Sequence, residues 1–162
     1  MPTSVRLDRS DATQVDAIHS DVQIFLSLGF TKPLGHIDFY PNSEQITQPG
    51  CSKDYIVRGF SESYRTDALS GFLEGIRYTL SCAHQRAIEF FYESLINNKC
   101  DFVAMRCRSY QEFLEALCTC DDSNSSCVKM GQATSVTDLA ELELPRHSRY
   151  FLLTNNEAPY CS

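Results

Sequence analysis

The apolar positions along this chain change period from place to place. In VDAIHSD (15–21) and GHIDFYP (35–41) the pattern is that of short strands. In the second, Ile37 and Phe39 alternate with His36, Asp38 and Tyr40 before a closing proline. The GFTKPLG between them reads as loop. From Thr66 the period lengthens: in TDALSGFLEGIRYTLS, Leu69, Phe72, Leu73, Ile76 and Leu80 recur at helical spacing. Gly71 and Gly75 lie inside that helix, and each costs about 0.8–1 kcal/mol relative to alanine. The pattern therefore predicts an amphipathic helix that rearranges easily. A second, firmer helix is expected after His84, with Ala87, Ile88, Phe91, Tyr92, Leu95 and Ile96 as one apolar stripe and Arg86, Glu89 and Glu93 off it. NNK ends it. From Cys100 to Cys127 the chain reads as cysteine-pinned and loop-rich, with one short helical pattern, YQEFLEAL, and RYFLL predicts a final strand. No internal repeat, low-complexity tract or domain boundary interrupts the pattern.

Composition sharpens this picture. A chain of 162 residues, 43% apolar, has the size and the side chains to form one globular core. Its net charge of −7, with Lys and Arg scattered, argues against nucleic acid as a partner, since neutralising phosphates requires a basic face. Eight cysteines, at 51, 82, 100, 107, 118, 120, 127 and 161, read as a disulfide framework formed in an oxidising compartment, which implies secretion. Yet MPTSVRLDRSD contains no apolar run to serve as a signal peptide, and no later stretch is long enough to span a membrane. The simplest expectation is a chain incomplete at its N-terminal side. Since no cysteine precedes Cys51, the first 50 residues need another support, a core or a missing partner segment.

Three places could carry chemistry. In VRLDRSD, Asp8 and Asp11 with nearby backbone carbonyls make an all-oxygen set that suits a hard cation such as calcium. Asp-x-x-Asp before an apolar run is equally a helix start. His84, in SCAHQRAIEFFYESL, stands where a helix is expected to begin, a setting that suits a general base near neutral pH, or a purely structural histidine. His19, His36 and His147 have no better claim. CTC and CAH lack the paired clusters of structural zinc sites. Third, if a disulfide closed the Cys51–Cys82 interval, its glycine-softened helix would be a flap able to cover a pocket or lie on lipid; the other reading is a surface helix packed on the core.

Taken in order, VRLDRSDATQVDAIHSD, LGFTKPLGHIDFYPN, PGC, CAHQRAIEFFYESL and the clustered cysteines with MGQA resemble the C-terminal half of the catalytic domain of the pancreatic lipase family. That family holds triacylglycerol lipases, lipoprotein lipase and secreted phospholipases A1. The resemblance runs almost from end to end and is weakest at 132–148. It implies an α/β-hydrolase fold with a Ser-Asp-His triad, here as a single partial catalytic domain over 1–162. It matches His84 to the catalytic histidine, Cys51 and Cys82 to the disulfide bounding a lid over 51–82, and Asp8 and Asp11 to calcium carboxylates with the carbonyls of Thr3 and Arg6. Two further bridges are implied within the loops of 100–127, Cys107–Cys118 and Cys120–Cys127, although CTC is one residue shorter than the usual gap. Cys100 and Cys161 are left for a fourth.

The family's G-x-S-x-G nucleophile elbow does not occur; GFSES at 59 lacks the last glycine and falls inside the lid. The triad aspartate, the oxyanion hole and the signal peptide also belong upstream, so a missing N-terminal half accounts for all four absences. The resemblance implies a secreted enzyme, extracellular, that hydrolyses carboxylic esters of glycerolipids at a lipid–water interface. The 30-residue interval between Cys51 and Cys82 tilts the substrate towards triacylglycerol over phospholipid. By itself this chain is expected to be inactive. The alternative is a non-catalytic, lipase-like lipid-binding or yolk-type storage protein; a complete small disulfide-rich binding domain is a third reading.

Overall fold

The computed structural model describes residues 6–21, 32–43, 48–51, 68–120, 126–131 and 148–162. Thr3, residues 52–67 and His147 lie outside them.

Among the described residues five strands form one mixed sheet in the order β1-β2-β5-β3-β4, with β1 at Asp16–Ile18, β2 at Ile37–Pro41, β3 at Val103–Arg106, β4 at Cys127–Lys129 and β5 at Ser148–Leu152. β1, β2 and β5 run parallel, with Ile37 paired to Asp16 on one side and Ser148 on the other. β3 is antiparallel to both β5 and β4. Although β2 alternates apolar and polar residues, all five are buried, because it has a strand on each edge and packing on each face. At its entry Gly35 passes so close to β1 that a Cβ there would lie 2.5 Å from the Val15 carbonyl oxygen. Only glycine allows that approach.

β3 and β4 lie within the stretch expected to be loop-rich. Each has only three or four residues, too few for a legible alternation, and they exist through pairing: Met105 with Phe151, Ala104 with Val128. The two expected helices are one, α1, continuous over the 29 residues Ala68–Ile96. SCAH carries neither proline nor glycine, so nothing breaks the backbone between the two patterns. YQEFLEAL shortens to α2, Tyr110–Leu114, capped by the Ser109 side chain, which accepts from the Glu112 amide at 3.2 Å.

The core has two parts. Ile37, Phe39, Tyr150 and Leu152 pack with Phe90 of α1, Phe102 and Met130. Tyr40 and Phe151, one position along each strand, pack with Tyr110 of α2 and Cys107. The face α1 turns inward differs from the one its apolar stripe predicts. Ala83, Arg86, Phe90 and Glu93 are buried, whereas Ile88, Phe91, Tyr92, Leu95 and Ile96 are exposed. Burial of the polar pair is matched by partners: the Glu93 carboxylate accepts the Tyr160 and Cys161 amides at 2.9 and 3.0 Å.

Four disulfides cross-link the fold, Cys51–Cys82, Cys100–Cys161, Cys107–Cys118 and Cys120–Cys127. Closing the first across 31 residues stabilises the fold by about 3–4 kcal/mol in the chain-entropy account. No helix among the described residues is long and apolar enough to cross a membrane.

Candidate active site

In a parallel sheet the carboxyl ends of the strands open towards ligands, and here a polar network gathers them. Gln48 donates to the Ser20 carbonyl after β1 at 2.9 Å and to the Pro41 carbonyl ending β2 at 3.0 Å. Asn42 donates to Gln48 Oε1 and to Thr154 Oγ1 after β5, both at 2.8 Å, and accepts the Thr154 amide at 2.9 Å. Gln48 and Asn42 are buried, so each bond replaces one otherwise made to water. The effect is to hold three strand ends as a unit.

His84 stands beside that unit. Its carbonyl is 3.5 Å from the Ser20 hydroxyl, which joins α1 to the end of β1. The histidine lies within α1 rather than at a helix start, which corrects the sequence-based expectation and removes the helix N-terminus as a factor at the imidazole. Its side chain is exposed, and its ring makes no hydrogen bond among the described residues. An accessible imidazole on a buried, rigid scaffold can take and return a proton.

A second histidine, given no special claim by the sequence, is the better buried. His19 Nε2 lies 2.8 Å from Asp38 Oδ1, with side chains only 4% and 0% exposed. The His19 ring stacks on Tyr40, centroids 4.4 Å apart and planes 7° from parallel. Asp38 also accepts the Leu34 amide at 2.8 Å and the Gly35 amide at 3.2 and 3.3 Å. The pair fixes the turn that leads directly to Ser20. His36 instead accepts the Val15 amide at Nδ1, 3.0 Å, a structural role.

Burial first, and then the Asp38 carboxylate, push the Tyr40 phenol well above its ordinary range, and burial raises Tyr150. Phenols ionise sooner in the unfolded chain, so the stability they contribute is complete below about pH 10 and is lost as the pH rises beyond it. Urea midpoints should fall steeply at alkaline pH, and Tyr40→Phe should flatten that decline.

At the N-terminal side, Asp8 and Asp11 cap each other. Asp8 Oδ1 accepts the Ser10 amide at 3.2 Å and its hydroxyl at 3.0 Å, while Asp11 Oδ2 accepts the Asp8 amide at 2.8 Å, around the 3-10 turn Arg9–Asp11. These bonds, the Ser10 amide first, hold the Asp8 carboxyl below its usual range. The Arg6 guanidinium lies 3.9 Å from Asp8. Two carboxylates, Asp11 exposed and Asp8 partly so, fit a hard cation, although the cap alone accounts for their spacing. Glu93 with Cys100 and Cys161 also has metal-ligand proximity, but both sulfurs are spent in the disulfide. A cavity of about 690 Å³ lined by Arg106, Arg149 and the Cys107–Cys118 bridge opens at the other end of β5, away from His84.

The family model described as Lipase matches residues 1–160. Hepatic triacylglycerol lipase of Oryctolagus cuniculus is 34% identical over 159 residues, 97% of this chain and 29% of that protein. Pancreatic lipase-related protein 2 of Homo sapiens is 41% identical over 133 residues, 80% of this chain and 26% of that protein. Lipase member H of Danio rerio is 33% identical over 161 residues, 99% of this chain and 30% of that protein. The chain thus spans less than a third of the length of these relatives. With a match this extensive joined to a sheet that gathers His84, Ser20 and the strand ends, the chain belongs to the lipase family.

Proposed function

We propose that this chain is the C-terminal half of an α/β-hydrolase catalytic domain whose parent hydrolyses carboxylic esters of glycerolipids, with His84 as general base. The observation that carries this reading is the family match over residues 1–160, together with the His84 backbone carbonyl beside Ser20 at the carboxyl ends of the parallel strands and an exposed His84 side chain. The upstream half would supply serine, aspartate and oxyanion donors. Two features support such a neighbour: among the described residues β1 is an edge strand of the sheet, and α1 exposes Ile88, Phe91, Tyr92, Leu95 and Ile96.

In the reaction, the serine hydroxyl attacks the ester carbonyl while His84 takes its proton. The tetrahedral intermediate collapses, the alcohol leaves with that proton, and water repeats the sequence to release the fatty acid. Residues 51–82 would act as a lid closed at its base by Cys51–Cys82. The names of the hepatic relatives and the 30-residue interval favour triacylglycerol over phospholipid. Four disulfides favour an extracellular setting.

The test is titrimetric assay on tributyrin and on phosphatidylcholine with this chain alone and joined to its natural upstream half. We expect turnover only from the joined protein, faster on tributyrin. No turnover from the joined protein would favour the lipid-binding or storage reading.

We also propose that Asp8 and Asp11, with the carbonyls of Thr3 and Arg6, hold a structural calcium ion in the joined protein. Calcium at a hundred times its Kd should add about 2.7 kcal/mol of stability. Asp8→Ala should abolish the rise in melting temperature; a rise that survives it would place the ion elsewhere.

A further inference from the structure

Two residues beyond His84, α1 carries a cation into the interior. Arg86 is 8% exposed, and its guanidinium is shared by three parts of the chain. Nη1 donates to Glu89 on the next turn and to the Tyr160 hydroxyl. Nη2 donates to the Pro49 carbonyl at 3.4 Å. The guanidinium carbon sits 4.5 Å from the centre of the Tyr160 ring.

Pro49 leads through Gly50 into Cys51, and Cys51 is bridged to Cys82. The 49–51 segment is therefore fastened to α1 at residue 82 by a disulfide and at residue 86 by the guanidinium, one turn apart. His84 lies midway between the fastenings. There is no slack at the second: Gly50 has φ +78°, and a Cβ on it would lie 2.1 Å from the Asn156 carbonyl oxygen and 2.8 Å from Arg86 Nη2. Tyr160 is itself held to the helix, since Glu93 accepts its amide and that of Cys161.

As a source of stability this is a poor arrangement. A buried guanidinium gives up its hydration, and Arg86 Nε finds no partner among the described residues. What the fork does supply is register, because its planar donors meet two carbonyl or hydroxyl oxygens and one ring face in a single orientation.

We propose that Arg86 is a positioning residue for His84, holding the histidine's turn of α1 in fixed register with the 49–51 segment and the Tyr160–Cys161 tail. This rests on the reading of His84 as the base. Displacing a reacting group by about 1 Å costs on the order of a hundredfold in rate, so loss of the fork should appear in kcat rather than KM.

The experiment measures kcat and KM on a water-soluble butyrate ester with the joined protein, well below each variant's melting temperature. Arg86→Ala should lower kcat by roughly ten- to a hundredfold with KM changed less than about threefold. Arg86→Lys, which keeps a cation for the ring or the carbonyl but not both, should recover part of the loss. Tyr160→Phe, which keeps the ring face, should fall less than Arg86→Ala. His84→Ala separates the two claims. If it leaves kcat intact, the base assignment fails and the positioning role with it. If it abolishes turnover while folded Arg86→Ala, or Arg86→Lys should alanine prevent folding, matches the wild type in kcat, the positioning role alone is overturned. A loss that appears in KM, or only in the yield of folded protein, overturns it too.

Discussion

Replacing Asp38 with alanine is expected to remove about 3–5 kcal/mol of stability, the usual consequence of deleting a buried acceptor that several buried donors share. Asp38 is fully buried and accepts from His19, Leu34 and Gly35. Water cannot replace those bonds at 0% exposure, so two backbone amides and an imidazole are left without an acceptor, each costing about 1–3 kcal/mol before relaxation. In urea the midpoint should fall with little change in slope. Pairing the change with His19→Phe should cost less than the sum of the two, since the apolar ring no longer needs an acceptor and still stacks on Tyr40. Additive losses would mean that His19 and Asp38 are not a coupled pair.

Much of this fold was legible in the sequence, for reasons that differ from element to element. β1, β2 and β5 each carried a short strand pattern, and their positions held to within a few residues. Spacing could not reveal β3 and β4, because a strand of three or four residues is defined by its partners. The orientation of α1 was misread for a related reason. Its apolar stripe gave the period correctly, but which face turns inward was decided by Phe90, by the tail amides that satisfy Glu93, and by the oxygens that receive Arg86. None of these is local to the helix. The motif CAH singles out His84, whose backbone carbonyl lies beside the Ser20 hydroxyl after β1, but the residue sits within α1 rather than at a helix start. The network of His19, Asp38, Asn42 and Gln48 stayed hidden because polar residues in short strands ordinarily face water.

The largest expected effect is chemical. In the joined protein, His84→Ala should lower kcat by about four to six orders of magnitude, the range seen when a member of a serine-hydrolase triad is removed. The serine hydroxyl is a weak nucleophile until a base within about 2.6–3.2 Å accepts its proton. No other described residue is placed to do so: His19 is committed to Asp38 and His36 to the Val15 amide. Because His84 is exposed on α1 and its ring makes no hydrogen bond among the described residues, alanine there should leave the melting temperature within about a degree or two of wild type. The decisive measurement is kcat on tributyrin for the joined protein and its His84→Ala variant, with melting curves recorded alongside. Turnover should disappear with His84 while folding stays intact; turnover that persists without the imidazole would overturn its assignment as the base.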